Sequence, residues 1–201
     1  MNVRRLLKST ATWEQFRDAL RPLAAKEKGD CFEALVEHYL KLSPIYTSIL
    51  KHVWHLRDVP PDKRKRLNLP GPDEGIDLVA ETVDGGFWAI QCKYKENEEH
   101  SLTRGELSTF TDLAFSICKD IEFGLVCTTA DRFSHKLKLY GDRLSFCAGD
   151  IWRGLDATFF KQRQGRRRRF RSANNHVWLC LTGERDFPTI RLTRIRFADL
   201  T

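Results

Sequence analysis

The stretch that decides the fold is GIDLVAETVDGGFWAIQCKYK, residues 75–95. Two apolar runs flank residues 84–86, whose Asp-Gly-Gly sequence is typical of a tight turn. We therefore predict a β-hairpin with strands at 76–82 and 87–93. The hairpin also holds an acid, an amide and a lysine, which cost free energy when a sheet buries them without partners. These three polar residues need an explanation other than packing.

Strand geometry brings the three residues together. Side chains alternate between the two faces of a strand, so Gln91 and Lys93 share one face and Cys92 points to the other. Antiparallel pairing places the start of the first strand, which carries Asp77, beside the end of the second. The turn therefore gathers Asp77, Gln91 and Lys93 in one small region.

This group of residues suits the hydrolysis of phosphodiester bonds. The Asp77 carboxylate, the Gln91 amide oxygen and the Cys92 backbone carbonyl are the oxygen ligands that Mg²⁺ takes, with Mn²⁺ as a substitute. Such a cation lowers the pKa of a bound water and stabilises charge on the phosphate. Lys93 can offset developing negative charge. Glu33, on a predicted helix, is a candidate further carboxylate that reaches the metal directly or through water.

Each of these residues also has a structural interpretation. Asp77 could belong to a turn or a cap, and a strand lysine such as Lys93 often marks an exposed sheet edge. Glu33 follows Asp30 by three residues, a spacing typical of a capping box at the start of a helix predicted over 29–42. The combination of residues at hairpin spacing favours a catalytic site.

The segments on either side of the hairpin predict further elements. Residues 46–56 fit a helix or a strand, and residues 60–74, rich in proline and charge, are predicted to be a loop. An extra N-terminal helix is predicted within 9–24. After the hairpin we expect a helix, a strand, a helix, a strand and a helix, at 103–120, 121–129, 131–144, 145–148 and 149–160. This order predicts an α/β fold with a mixed sheet flanked by helices.

Composition limits the remaining possibilities. The chain has 201 residues, 41% of them hydrophobic, enough for one domain with an appendage. The chain has a net charge of +7, and it is unevenly distributed: residues 161–201 carry +8 and residues 1–160 carry −1. The apolar runs are far shorter than the roughly 20 residues of a membrane span, and the first residues do not form a signal peptide. The shortness of the apolar runs predicts no membrane partner. The six cysteines, which form no CxxC pair, predict buried thiols in a reducing cytoplasm.

Asp77 followed by Gln-x-Lys at 91–93 resembles the PD-(D/E)xK nuclease superfamily, and above all its Mrr-like branch, in which glutamine replaces the usual acid. The resemblance is closer still to the nuclease domain that begins the Type ISP restriction enzymes and related predicted helicases. It covers roughly residues 12–156, in three successive blocks, EKGDCFEALVEHYL (27–40), DEGIDLVAETVDGGFWAIQCKYK (73–95) and GLVCTTADRFS (124–134).

The resemblance implies a restriction-endonuclease-like αβββαβ core over residues 1–160. It implies DNA cleavage with Mg²⁺, at catalytic positions Glu33, Asp77, Gln91 and Lys93. Helicase, methyltransferase or specificity domains encoded elsewhere are the implied partners, since no GxxxxGK[ST] motif occurs in the 201 residues. The alternative is a catalytically weak DNA-binding module or a remnant of a larger helicase-nuclease. A nuclease of RNA or of transposition on the same scaffold is a third possibility.

The basic segment 161–201 has several interpretations. Its run GRRRRFR (165–171) could bind phosphates, or the segment could be a solvated, disordered tail. Its abrupt change of composition also fits the remnant of a truncated or frameshifted larger protein.

Overall fold

The computed structural model describes residues 6, 7, 9–71 and 74–161. Within them a single five-stranded sheet is flanked by helices. In chain order the elements are α1 (Trp13–Leu20), α2 (Ala25–Leu42), α3 (Pro44–Ile49), β1 (Leu50–His55), α4 (Pro61–Arg66), β2 (Leu78–Thr82), β3 (Phe87–Lys93), α5 (Arg104–Asp112), β4 (Ile121–Thr128), β5 (Leu144–Cys147), α6 (Gly149–Arg153) and α7 (Ala157–Lys161).

The sheet is mixed, with strand order β1-β2-β3-β4-β5. The first three strands form an antiparallel meander, and β4 and β5 continue it in parallel to β3. Connections between parallel strands need a crossover, which α5 provides between β3 and β4. The predicted αβββαβ core, an α/β fold with a mixed sheet and an additional N-terminal helix, is confirmed as α2-β1-β2-β3-α5-β4, preceded by α1.

Alternation along the hairpin divides the core into two clusters. Leu78 and Ile90 face one layer, where α1 and α2 contribute Phe16 and Phe32. Residues of the opposite parity, such as Val79 and Phe87, face a second layer against α5. The sheet is thus buried on both faces, which explains why the strands are so rich in apolar residues.

Helix α2 begins at Ala25 rather than near Gly29, so its predicted start was wrong. Glu27 accepts the N–H of Ala24 at 3.2 Å and completes the start of the helix, the role that the spacing had suggested for Glu33. Glu27 lies in the first turn of the helix, so it and not Glu33 can reach the backbone N–H of the capping residue. Glu33 therefore lies well inside the helix and is not a capping residue.

Other boundaries also differ from the predictions. Residues 46–56 contain the end of a helix and then strand β1. The predicted loop at 60–74 holds the short helix α4, which begins on Pro61, as proline favours the first helical position. The helix predicted at 131–144 is a shorter 3₁₀ helix, His135–Arg143, which Gly141 interrupts with a positive φ of 55°.

Several remaining predictions concern the chain as a whole. The cysteines were predicted to be buried thiols. Of the five free thiols in the described residues, Cys31, Cys127 and Cys147 are buried and Cys92 and Cys118 are partly exposed. Among the described helices none has the length and apolarity to cross a membrane. Helix α7 runs to Lys161, one residue past the predicted domain boundary. The basic segment, apart from Lys161, lies outside the described residues, and the predictions for it remain predictions.

Candidate active site

Asp77 lies immediately before β2 and is held by both neighbouring strands. Its N–H donates to the Ile90 carbonyl at 3.0 Å, and its own carbonyl accepts the N–H of Leu56 at 2.9 Å. The carboxylate Oδ2 accepts the N–H of Cys92 at 2.6 Å. The Asp77 side chain is therefore fixed beside the end of β3, where the hairpin geometry predicted it.

Gln91 is buried, with 4% of its surface exposed. Its Nε2 donates to the Gly75 carbonyl at 3.0 Å, which identifies the other amide atom as the oxygen. That oxygen, Oε1, is buried and has no hydrogen-bond partner among the described residues. An unsatisfied buried acceptor costs about 1–3 kcal/mol, so this oxygen is suited to a ligand that the protein itself does not supply.

Gly75 makes this arrangement possible. Its φ of +104° is unfavourable for any residue with a Cβ, and a Cβ there would lie 3.1 Å from the Thr109 side chain. The turn at Gly75 brings the chain into β2 and leaves its carbonyl within reach of Gln91. The Gly-Ile-Asp sequence before β2 thus positions both Asp77 and Gln91.

Glu33 reaches the same region from α2. Its side chain is mostly buried, and the pKa of its carboxyl is raised to about 7, first by burial and then by the charge of Asp77, while His55 acts in the opposite direction. The repulsion between the two carboxylates shows that the fold brings Glu33 near Asp77, although the two are far apart in sequence. Two mutually repelling carboxylates also make the region attractive to a cation.

Lys93 ends β3, two residues after Gln91. Its carbonyl accepts hydrogen bonds from the Thr128 hydroxyl at 2.8 Å and from the Thr129 N–H at 3.3 Å. These bonds fix the backbone of the strand end on β4. The strand alternation places the Lys93 side chain on the face of Gln91. Its catalytic role stays a prediction.

The donor set fits a hard cation. A buried amide oxygen that lacks a partner in the described part of the chain lies on the strand beside Asp77, and both are oxygen ligands. Within the described ranges no group of three or more His, Cys, Asp and Glu side chains is arranged to hold a metal ion. The candidate donors are of mixed type: one carboxylate, one amide and a backbone carbonyl, that of Cys92.

Two residues beside the site escaped the sequence analysis, His55 and Glu37. His55 ends β1, with Nδ1 3.9 Å from Glu33 Oε2 and Nε2 3.4 Å from Glu37 Oε2. Glu37 also pairs with Lys41 at 2.5 Å. Glu33 and Glu37 are four residues apart, which places both on one face of the helix. This spacing was a signal in the sequence that could have identified Glu37. The histidine was not predictable, because its segment fitted a helix as well as a strand.

Glu37 should make an acid-sensitive contribution to stability. Burial raises the pKa of Glu37, but hydrogen bonds from His55 and Lys41 outweigh it and lower the pKa from 4.5 to about 2. The folded state thus binds fewer protons than the unfolded state in this range. The contribution, on the order of 3 kcal/mol, is present above pH 4.5 and lost as the pH falls toward 2.

Urea unfolding across this pH range tests that contribution. The free-energy difference between wild type and Glu37→Gln should be largest near neutrality and shrink steadily on acidification. Glu99→Gln, at an exposed loop position, is the matched control and should follow the wild-type curve. A pH-independent difference for Glu37→Gln would mean that the charge of Glu37 is not what stabilises the fold.

The chain matches a known protein-family model. The family model Mrr_cat_2, described as a restriction endonuclease, matches residues 41–141, half of the chain. This range includes Asp77, Gln91 and Lys93, and it begins after Glu33. No curated protein matches the chain.

Among solved structures the chain is similar to the "ATP-dependent Type ISP restriction-modification enzyme LlaBIII bound to DNA". The TM-score is 0.53 at 21% sequence identity, and the match covers 72% of this chain. At that identity the likeness is one of fold. The match covers 8% of the larger enzyme, so it concerns a small part of that protein.

Proposed function

Because this chain belongs to the Mrr-like restriction endonuclease family, we propose that it hydrolyses DNA phosphodiester bonds with a divalent cation. The proposed cofactor is Mg²⁺, with Mn²⁺ as a substitute. The observation that carries the proposal is the side-chain oxygen of Gln91, which is buried at the strand end beside Asp77 and lacks a partner within the described residues. A cation at this position would satisfy that oxygen and offset the repulsion between Asp77 and Glu33.

Three groups would hold the cation: the Asp77 carboxylate, the Gln91 amide oxygen and the Cys92 carbonyl. The hydrogen bond from the Cys92 N–H orients the Asp77 carboxylate, and the Gly75 carbonyl orients the Gln91 amide. When bound, the cation supplies charge stabilisation at the phosphate and a lower pKa for a nearby water. Both side chains are held in place beforehand, which reduces the entropy lost on binding.

Two further residues of the chain complete the proposed mechanism. Glu33, whose carboxyl pKa burial and Asp77 raise to about 7, can hold and release a proton near neutral pH, as a general base must. Lys93 places a positive charge on the face of Gln91, where it can offset the negative charge that develops on the phosphate. Glu33 could also contact the cation through water.

The wider context of the activity is part of the same proposal. The solved structure with a similar fold is described as ATP-dependent and bound to DNA, and this chain corresponds to a small part of it. We propose that residues 1–160 form a nuclease unit that acts with helicase, methyltransferase or specificity domains encoded elsewhere. The basic segment 161–201 would add phosphate contacts that do not depend on sequence.

Incubation with nucleic acids tests the proposed function. Supercoiled plasmid should be nicked or linearised with Mg²⁺ or Mn²⁺ and left intact with EDTA. Linear single strands and a structured RNA show which substrate is preferred. Metal-independent binding of duplex DNA without any cleavage would support the alternative, a DNA-binding module with lost catalysis. Cleavage of RNA alone would overturn the assignment to DNA.

Gln91→Glu should change metal dependence more than activity. The added charge makes a stronger ligand for the cation, so the melting temperature should rise more on adding Mn²⁺ than it does for the wild type. Without metal the variant should be less stable by about 1–3 kcal/mol, because a carboxylate oxygen would face the Gly75 carbonyl in place of a donor. Thermal melts with EDTA and with millimolar Mn²⁺ measure both effects. An unchanged metal response would argue against Gln91 as a ligand.

A further inference from the structure

A connected set of charged side chains extends from the proposed metal site into α2. Glu33 and Glu37 lie one turn apart on this helix, and the His55 ring lies between them. Nδ1 of His55 faces Glu33 Oε2 at 3.9 Å, and Nε2 faces Glu37 Oε2 at 3.4 Å. Lys41, a further turn along, holds the other oxygen of Glu37 at 2.5 Å. Each nitrogen of the imidazole therefore has its own carboxylate.

The backbone of His55 belongs to the strand network of the site. His55 pairs with Leu78 across β1 and β2. The next residue, Leu56, donates its N–H to the Asp77 carbonyl at 2.9 Å. The imidazole is largely buried, with 15% of its side chain exposed, so it has little freedom to leave this position. His55 thus links the helix that carries Glu33 to the strand that carries Asp77.

The contacts of the His55 imidazole with Glu33 and Glu37 are shielded from solvent more than ion pairs at an open surface. The Glu33 and Glu37 side chains are 27% and 18% exposed, so solvent screens these contacts less than it would at an open surface. Glu37 is held from the opposite side by Lys41, which makes it a firm anchor for Nε2. With Nε2 anchored, the orientation of the ring is set, and Nδ1 is directed at Glu33.

We propose that His55 is a positioning residue that holds the Glu33 carboxylate toward the metal site, with Glu37 and Lys41 as its anchor. The inference rests on the proposed function, because it gives Glu33 a place at that site. Glu33 is proposed to contact the cation through water, and in many metal sites the residues that hold such ligands tune metal affinity by about 10–100-fold. His55 would act in this way, through Glu33 and without touching the cation or the DNA.

Titration of the protein with Mn²⁺, by calorimetry and by thermal melts, measures this role apart from activity. His55→Ala should weaken Mn²⁺ binding about 10-fold or more. It should raise the Mn²⁺ concentration for half-maximal plasmid cleavage by the same factor, and it should also lower the rate at saturating Mn²⁺, because Glu33 is the proposed general base. His55→Asn, which keeps an N–H near the Nδ1 position, should recover most of the affinity. Glu37→Gln should weaken binding in the same direction although Glu37 does not contact the site.

A double-variant comparison separates positioning from packing. Glu33→Gln/His55→Ala should bind Mn²⁺ no more weakly than Glu33→Gln alone, because His55 acts through Glu33. The matched control is His52→Ala, on the same strand, where the ring stacks on Trp54 at 5.1 Å. It should leave Mn²⁺ affinity unchanged.

Each of the following outcomes would overturn the inference. In the double variant, the losses of Mn²⁺ affinity caused by Glu33→Gln and by His55→Ala could add. His55→Ala could lower only the melting temperature and leave Mn²⁺ affinity and the metal dependence of cleavage intact. Should His55→Ala not fold, wild-type Mn²⁺ affinity in Glu37→Gln would count equally against it, since Glu37→Gln removes the anchor. A wild-type protein that neither binds Mn²⁺ nor cleaves DNA would overturn the proposed function together with the inference.

Discussion

Replacing Lys93 by alanine should lower the rate of DNA cleavage by about 10²–10³-fold, the usual effect of removing one positioned electrostatic group from an active site. The rate at saturating metal should fall, since the lost interaction belongs to the transition state. Metal binding and DNA binding should stay close to those of the wild type. Single-turnover plasmid cleavage at saturating Mg²⁺ measures the effect.

The structure explains why this substitution should spare the fold. The bonds at Lys93 that anchor β3 to β4 use its backbone carbonyl, which alanine retains. The side chain lies at the half-exposed end of the strand, past its fully buried part. A fall in activity can therefore be assigned to the lost charge and not to a disturbed sheet.

Lys95→Ala is the matched control for Lys93→Ala. Lys95 lies two residues after Lys93 and forms an ion pair with Glu106, at the start of α5. Its removal should leave cleavage within a few-fold of the wild type, because a partly exposed ion pair contributes about 0–1 kcal/mol. Equal activity of Lys93→Ala and wild type would remove Lys93 from the mechanism.

The central hairpin could be predicted because its information is local. Alternation along β2 and β3 defines the two faces, and the turn residues define the pairing, so the positions of Asp77 and Gln91 follow from the sequence. The structure agrees, with the Cys92 N–H bound to Asp77. A short-range pattern is sufficient where the functional residues lie on neighbouring strands.

The surroundings of the site could not be predicted because they depend on tertiary contacts. Both Glu27 and Glu33 lie near the start of α2, and only the folded helix shows that Glu27 is the one that caps it. The hydrogen bond from the Gln91 side chain to the Gly75 carbonyl joins a side chain to a backbone turn, and the alternation of apolar residues along a strand does not predict such a bond. The contact of His55 with Glu33 and Glu37 joins a strand to a helix whose packing the sequence did not define.

Asp77→Asn should abolish metal-dependent cleavage and remove most of the stabilisation that metal gives. A ligand that binds only the native state stabilises it by about 2.7 kcal/mol at a concentration 100 times its Kd. The wild type should therefore melt at a higher temperature with millimolar Mg²⁺ or Mn²⁺ than with EDTA. The variant lacks the one carboxylate among the proposed direct ligands and should show a small shift or none.

Without metal, the same variant should be as stable as the wild type or more so. An asparagine oxygen can still accept the Cys92 N–H that Asp77 Oδ2 accepts. Burial, followed by the charge of Asp77, raises the pKa of Glu33 from 4.5 to about 7, so the folded protein binds more protons than the unfolded chain between these values. Its stability therefore falls as the pH rises through this range. Loss of the Asp77 charge should reduce that fall, by an amount on the order of 1 kcal/mol.

Thermal melts in EDTA at pH 4.5 and pH 7, and at pH 7 with millimolar Mn²⁺, test both parts of this prediction. The stability of Asp77→Asn relative to the wild type should increase between the two pH values in EDTA, since the relief of repulsion matters only where Glu33 is ionised. Asp84→Asn makes the same chemical change at the exposed turn of the hairpin and should behave as the wild type throughout. If Asp77→Asn melts far below the wild type in EDTA at neutral pH, then Asp77 is a structural residue that holds the end of β3. In that case its carboxylate is needed for the fold itself, and a metal site would not be the reason for an acid in this strand pair.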